Sequence, residues 1–224
     1  IWQEYDPASK YFMAVDVARG DGEDYSAFHV WNITTNEIVA EYQGKVAIDM
    51  YANMVHQAAT RYGTCLVVVE SNNIGFMLID KLKDLRYNNL YYSKGDEYID
   101  PLIAENITGA TPGFTTSSKT RPLIIAKMEE MIRNQLVITR SKRLFGEFKT
   151  FVWKNGRPQA MRSKHDDLVM SFAIACWIRD AVYEESAYDR EKSEKMMNAF
   201  FTGKRELNTT IPGMVGHLPV MKSG

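Results

Sequence analysis

The sequence has little cysteine, no long apolar run and almost no net charge. Cys65 and Cys176 are the only cysteines among 224 residues, and each lies inside an apolar run. We therefore expect buried thiols in a reducing compartment, not a disulfide. No apolar run reaches the about 18 residues that a membrane span requires. The 27 basic and 28 acidic residues give a net charge of −1, which argues against a uniformly basic nucleic-acid-coating protein but allows a local basic face.

Two further signals are missing. The first residues, Ile1 to Asp6, lack the basic and then apolar layout of a secretory signal. The sequence also lacks a Gly-x-x-x-x-Gly-Lys-[Ser/Thr] phosphate loop, because Gly203-Lys204-Arg205 has neither the earlier glycine nor the hydroxyl residue. ATP hydrolysis is therefore not expected. The chain does not begin with methionine, which suggests a fragment of a longer protein.

The first part of the chain predicts a mixed β-sheet. Alternating apolar residues predict strands over Lys10–Ala18, Tyr25–Ile33 and Glu37–Tyr42, and the short turns between them indicate an antiparallel meander. A helix is predicted from about Asp49 to Tyr62. The uniformly apolar run Cys65–Val69 is typical of a central strand buried on both faces, here reached by a parallel crossover.

The second part of the chain is mainly helical. Asn72 or Asn73 is expected to cap a helix, and further helices are predicted over 119–134, 141–150 and 166–183. The polar segment Ser93–Ser118 has weak periodicity and is predicted to be a long loop. An Asn155-Gly156 turn predicts a β-hairpin. The fold class is therefore α/β, with a mixed central sheet flanked by helices in a domain over 1–183. Residues 184–224 are predicted to be a partly ordered or docking tail.

Four carboxylates occupy positions where acids are unusual. Asp16 lies mid-strand on a face with apolar neighbours, Glu70 ends a buried strand, and Asp166 and Asp167 open an apolar helix. Buried acids are normally paired or bound to metal. Each position also has a purely structural interpretation, as a turn residue, a capping segment or a helix start. Their joint placement on this order of elements favours a shared site.

The chemistry that such a site would serve is two-metal hydrolysis. Two divalent ions about 4 Å apart can activate a water and stabilise the leaving oxygen of a phosphodiester. Magnesium and manganese prefer carboxylate oxygens and water as ligands. The helix dipole would help to keep Asp166 and Asp167 ionised.

Three segments carry a resemblance to a known family. They are AVDVARGDGEDYSA at residues 14–27, VVESNNIG at residues 68–75 and KHDDLVMS at residues 164–171. With the order of elements between them, the sequence resembles the nuclease domain of the large terminase subunit of tailed bacteriophages, of the myovirus type, over about Tyr11 to Tyr183. The resemblance implies an RNase H-like fold of the resolvase and integrase superfamily.

The resemblance also implies an activity. Members of the family cut concatemeric viral DNA during head filling with Mg²⁺ or Mn²⁺. The implied partners are double-stranded DNA, the N-terminal ATPase domain of the full-length protein, the portal and the small terminase subunit, without a membrane, in the host cytoplasm during virion assembly. By position, the resemblance implies that Asp16, Glu70 and Asp167 are the metal ligands. Asp166 would assist Asp167, and the resemblance does not decide which of these two neighbours is the principal ligand.

Further residues are expected to assist. Asp24 resembles an auxiliary acid that reaches the site through water, and His165 would orient a carboxylate or phosphate, with simple solvent exposure of His165 equally compatible. A nuclease with little sequence preference should hold DNA phosphates through cations. The candidates flank loops or the hairpin, and any one of them is also compatible with a solvated surface. They are Lys94, Lys119, Arg121, Lys142, Arg143, Lys154, Arg157, Arg162 and Lys164.

Three other functions remain open at this point. A Holliday-junction resolvase or transposase-like nuclease of the same fold would prefer branched DNA or DNA ends. An actin-like phosphotransferase also carries an acid on its first strand, but it gives the Asp166-Asp167 pair no role. A non-catalytic module that docks on DNA or the portal would bind no metal.

Overall fold

Four strands form the central sheet, namely β1 (Tyr11–Asp16), β2 (Ser26–Asn32), β3 (Glu37–Gly44) and β4 (Leu66–Val69). Their order in space is β3-β2-β1-β4. The first three strands pair antiparallel, whereas β4 runs parallel to β1. This arrangement confirms the predicted meander with an added parallel strand.

The structure is a computed structural model that describes residues 1–20, 22, 24–72, 74–95, 97–182 and 195. Apart from Lys195, the predicted tail over 184–224 lies outside the described residues, and the predicted boundary after residue 183 stays a prediction. Within the described part, no helix combines the length and the apolar character needed to cross a bilayer.

Helices α1 (Ile48–Arg61) and α2 (Gly75–Asp84) cover one face of the sheet. Alternate residues of each strand point to this face, among them Met13 and Val15 of β1. Because side chains alternate across a strand, the intervening residues Phe12 and Ala14 point to the opposite face. Both faces of β1 are therefore buried. Its acidic residue, Asp16, is the last residue of the strand.

The segment predicted to be a long loop, Ser93–Ser118, contains regular structure. It contains the last two residues of β5 (Tyr92–Lys94), followed by β6 (Glu97–Ile99), the short helix α3 (Pro101–Ala104) and β7 (Thr111–Pro112). The three strands form a small sheet in the order β6-β5-β7. Strands of two or three residues are too short to show the alternation that predicts a strand, so the loop prediction was wrong.

The opposite face of the sheet is covered by helices from the second part of the chain. They are α4 (Thr120–Arg133), α5 (Lys142–Phe148) and α6, which covers residues 167–182 of the described chain. Between α5 and α6 lies the predicted hairpin, formed by β8 (Phe151–Lys154) and β9 (Arg157–Ala160). Asn155 and Gly156 both have positive φ angles, of 51° and 74°, as a tight two-residue hairpin turn requires.

Both edges of the central sheet carry hydrogen bonds to other parts of the chain. On the outer side of β4, Val67 N donates to Asn89 O at 2.9 Å and Val67 O accepts from Tyr91 N at 2.9 Å. Phe114 N donates to Val69 O at 2.8 Å. On the outer side of β3, Trp2 N donates to Val39 O at 2.7 Å. The contacts on the β4 side connect the segments that flank the small sheet to β4, whose end carries the predicted acid Glu70.

Candidate metal centre

Asp16 and Glu70 are neighbours because of the parallel pairing of β1 with β4. Val15 is paired with Val69 in this register, and Asp16 and Glu70 are the next residues of the two strands. Glu70 N donates to Val15 O at 2.8 Å. Adjacent strands lie about 4.8 Å apart, so the two acids are brought into contact where the carboxyl-terminal ends of β1 and β4 meet. Asp16 is the last residue of β1, not a mid-strand residue as the sequence suggested.

Asp167 approaches the same edge from the start of α6. Helix α6 begins at Asp167, one residue later than predicted, and Asp166 O accepts the hydrogen bond of Met170 N at 2.7 Å. Asp166 therefore occupies the N-cap position of the helix. The side chain of Asp167 is buried, and its Oδ2 atom has no hydrogen-bond partner among the described residues.

These acids line one pocket of about 360 Å³. It lies between the ends of β1 and β4, the start of α4 and the start of α6. The structure therefore brings together all five predicted acids. The acids in its wall are Asp16, Asp24, Glu70, Asp166 and Asp167.

The crowded acids shift one another's proton affinities. Burial raises the pKa of Asp16 well above its ordinary value, and the charge and contact of Glu70 raise it further, followed by the charges of Asp167 and Asp166. Burial likewise raises the pKa of Asp167 to about 7, together with the charges of neighbouring acids, although the backbone N–H of Tyr25 opposes the shift. Bound cations relieve this kind of repulsion between buried carboxylates.

Asp166 has a cationic partner. Its Oδ2 atom accepts a hydrogen bond from Arg121 at 2.5 Å, and Arg121 Nε also donates to Pro158 O at 3.0 Å. Among the described residues, no three acidic, histidine or cysteine side chains are grouped closely enough to hold one ion.

The two predicted auxiliary residues lie at the rim. Asp24 is exposed, and its Oδ1 atom is 4.0 Å from His165 Nδ1. The same nitrogen is 3.9 Å from Asp167 Oδ2. The His165 ring packs edge-on against Tyr25, with 4.9 Å between ring centroids. His165 therefore faces two acids and is not simply turned to solvent.

The cationic residues predicted to bind DNA do not all lie near the pocket. Arg121 and Arg157 line the pocket. Lys119 is exposed and precedes α4, and Arg162 and Lys164 are exposed just before the Asp166-Asp167 pair. Arg143 lies elsewhere, with its Nε atom 2.9 Å from Glu41 Oε1.

Sequence reasoning missed the role of Asn72. It was predicted as a helix cap, but α2 begins at Gly75 and its N-cap is Ile74; Asn73 lies outside the described residues. The Asn72 side chain instead donates to Glu70 Oε1 at 3.3 Å and to Thr116 O. It therefore orients the Glu70 carboxylate. The only signal was its place two residues after Glu70, which a capping role explains equally well.

A buried polar chain fixes helix α6 against the sheet. His29 Nδ1 lies 2.8 Å from Ser171 Oγ, and His29 Nε2 lies 3.3 Å from Glu41 Oε2. Burial lowers the pKa of His29 and outweighs the opposing effect of Glu41. Burial alone would raise the pKa of Glu41, but its contacts with His29, Ser141 and Arg143 bring it down to about 2. Glu41 is therefore ionised beside a neutral histidine at neutral pH.

We expect Glu41→Gln to destabilise the protein at neutral pH and to have little effect in acid. The folded pKa of Glu41, about 2, lies below the ordinary 4.5, so its stabilisation is present above pH 4.5 and is lost as the pH falls through about 2. Urea unfolding of both proteins at neutral pH, at pH 4.5 and at the lowest pH that keeps them folded measures the difference. A difference that does not change with pH would contradict this assignment.

No known family model matches the chain, but solved structures do. The large terminase nuclease from thermophilic phage G20c aligns at 18% identity over 78% of this chain and 84% of that chain, with a TM-score of 0.60. The chain has the fold of a large terminase nuclease domain. The nuclease domain from Thermus phage P74-26 aligns at 20% identity over 77% and 81% of the two chains, with a TM-score of 0.52. These terminase nuclease domains have an RNase H-like fold, as predicted, and at this identity the likeness establishes the fold alone.

Proposed function

We propose that this chain is a metal-dependent endonuclease that cuts concatemeric viral DNA during packaging into the prohead. The observation that carries the proposal is the convergence of Asp16, Glu70 and Asp167 in one pocket of a terminase nuclease fold. Asp16 and Glu70 come from adjacent parallel strands and Asp167 comes from a helix start. Such a group of acids costs free energy unless cations compensate it.

The residues present suit hard divalent cations. The ligand atoms are carboxylate oxygens, which Mg²⁺ and Mn²⁺ prefer, and the buried Asp167 Oδ2 atom accepts no hydrogen bond from any residue that the structure describes. The G20c nuclease has been solved with bound cobalt, magnesium and zinc. Divalent ions held in this pocket would activate a water and stabilise the leaving oxygen of a phosphodiester.

Each acid has a separate role in this proposal. Asp16, Glu70 and Asp167 hold the ions. Asp166 is their companion, and its pairing with Arg121 supports Asp167 as the principal ligand of the two. Asp24 and His165 act from the rim, where His165 orients either a carboxylate or a phosphate.

Positive side chains around the pocket would hold the DNA backbone. Arg121 and Arg157 lie in the wall, so a phosphate that enters the pocket would meet both guanidinium groups. Lys119, Arg162 and Lys164 are exposed on segments next to the acids and would contact flanking phosphates. Contacts to phosphates do not depend on the base sequence of the DNA, as cutting with little sequence preference requires.

The biological setting follows from the same proposal. The substrate is double-stranded viral DNA, and the partners are an N-terminal ATPase domain, the portal and the small terminase subunit. The reaction takes place in the host cytoplasm during virion assembly.

Metal removal tests the proposed activity directly. We expect the purified chain to cut linear duplex DNA with Mg²⁺ or Mn²⁺ and to lose all cutting with a chelator, because water activation depends on the ions. Gel electrophoresis of a long linear duplex, and of a four-way junction with matched arms, measures both activity and preference.

Three outcomes would reject the proposal. Cutting that survives exhaustive chelation would exclude the metal mechanism. A strong preference for the four-way junction over the linear duplex would favour a resolvase. If neither DNA is cut and calorimetry detects no Mn²⁺ binding, the chain is a docking module.

A further inference from the structure

Glu147 is a buried carboxylate outside the pocket wall. It lies in the last turn of α5, and its side chain reaches across to the start of α6, where Glu147 Oε2 accepts a hydrogen bond from Val169 N at 3.0 Å. The other oxygen, Oε1, accepts from Gln43 Nε2 of β3 at 2.6 Å. Glu147 is thus held from two sides and has a defined position.

The contact with Val169 satisfies a group that helices leave unpaired. The first four N–H groups of a helix have no partner inside it, and Val169 is the third residue of α6. An aspartate at the N-cap normally accepts this bond with its own side chain. Here Asp166 occupies the N-cap, yet its carboxylate points to Arg121. Glu147 supplies the cap from another helix.

The neighbouring polar chain repeats this arrangement. Arg143 of α5 contacts Glu41 of β3, which leads through His29 to Ser171 of α6. Arg143 precedes Glu147 by one helical turn, and Glu41 precedes Gln43 on the same face of β3. Two parallel polar links therefore connect α5 and the sheet to the first turns of α6. Their repetition indicates that the start of α6 is held at a fixed place on the sheet.

We propose that Glu147 is a positioning residue for the metal centre: by capping α6 from α5, it leaves the side chains of Asp166 and Asp167 directed into the pocket. The inference rests on the proposed function. Without the cap, the Asp166 carboxylate is expected to turn back onto the Val169 N–H, as aspartates do at N-caps, and the first turn of α6 would shift. Groups that orient metal ligands commonly alter affinity about 10- to 100-fold when removed.

Three substitutions separate geometry from charge. Glu147→Gln keeps an oxygen for Val169 N–H and removes the charge, with the Gln43 amide free to rotate to match. Glu147→Asp keeps the charge but is one methylene too short. Glu147→Ala removes both. Glu129→Ala, on an exposed part of α4, is the matched control.

Mn²⁺ binding by calorimetry and amide hydrogen exchange at Val169 in the metal-free protein are measured for each variant, with circular dichroism to confirm folding. We expect Glu147→Asp and Glu147→Ala to weaken Mn²⁺ binding by about tenfold or more and to expose the Val169 amide to exchange. Glu147→Gln and Glu129→Ala are expected to resemble the wild type in both measurements.

The opposite patterns overturn the inference. If Glu147→Asp binds Mn²⁺ normally while Glu147→Gln does not, the carboxylate acts by charge and not by position. If Glu147→Ala changes neither measurement, Glu147 positions nothing. Both results leave the proposed function intact, because the wild type still binds Mn²⁺ and cuts DNA. A wild type without Mn²⁺ binding rejects the proposed function and this inference with it.

Discussion

Asp16→Asn is expected to abolish DNA cleavage while leaving the fold intact. The neutral amide oxygen is a weaker ligand for a divalent ion than the carboxylate oxygen it replaces, and even changes behind a metal ligand cost about 10- to 100-fold, so the loss should exceed about a hundredfold. The metal-free variant should be as stable as the wild type or more stable, because the substitution removes the buried charge that Glu70 and Asp167 oppose. Cleavage of linear duplex DNA, circular dichroism and thermal unfolding measure the three effects.

Asp84→Asn provides the control for this substitution. Asp84 is exposed at the end of α2, and within the described part of the chain its one ion pair is with Lys81, at 3.9 Å, so its loss should change neither cleavage nor stability. Undiminished cutting by Asp16→Asn would reject Asp16 as a metal ligand. Loss of cutting together with loss of the folded circular dichroism spectrum would reject the claim that Asp16 serves function and not stability.

Gly75→Ala is expected to distort the Glu70 backbone and so to impair both stability and cleavage. A β-carbon at Gly75 would lie 1.7 Å from Glu70 O and 2.8 Å from Glu70 C, far inside van der Waals contact. The clash involves backbone, which cannot rotate away as a side chain does. Forced packing of this kind typically costs about 1–3 kcal/mol. Urea unfolding and Mn²⁺ calorimetry of the variant test both consequences.

Gly146→Ala is the matched comparison. Gly146 lies within helix α5, and a β-carbon there would meet no described atom within 4 Å beyond its chain neighbours and the backbone of its own helix. Alanine favours a helix over glycine by about 1 kcal/mol, so this variant should equal or exceed the wild type in stability. If the two alanine variants behave alike, the close approach of α2 to Glu70 does not constrain the site.

The sequence predicted the candidate site best where an apolar strand pattern ends in an acidic residue. The uniformly apolar run before Glu70 predicted a buried parallel strand, and the alternation around Asp16 predicted its neighbour. Parallel pairing alone then brings the two acids to one edge of the sheet. The same reasoning could not order Asp166 and Asp167, because that depends on which of them caps the helix and which is its first residue.

Contacts between residues far apart in the chain could not be predicted from the sequence. Glu147 meets Val169 across 22 residues and Gln43 across 104, and Arg121 meets Asp166 across 45. In sequence, Glu147 resembles an ordinary exposed residue of a short charged helix. Its burial depends on how α5 packs on the sheet, which no local pattern encodes. The small sheet of β5, β6 and β7 was missed for a related reason, since its strands depend on pairing and not on periodicity.

The hydrogen bonds on the outer side of β4 also affect how this domain behaves in crowded solution. An edge strand normally offers unpaired amides and carbonyls to which a foreign strand can attach. Here the amide and carbonyl of Val67 and the carbonyl of Val69 are already bonded to Asn89, Tyr91 and Phe114, so an incoming strand would first have to displace the chain's own segments. The strand that carries Glu70 is thereby protected against edge-to-edge aggregation.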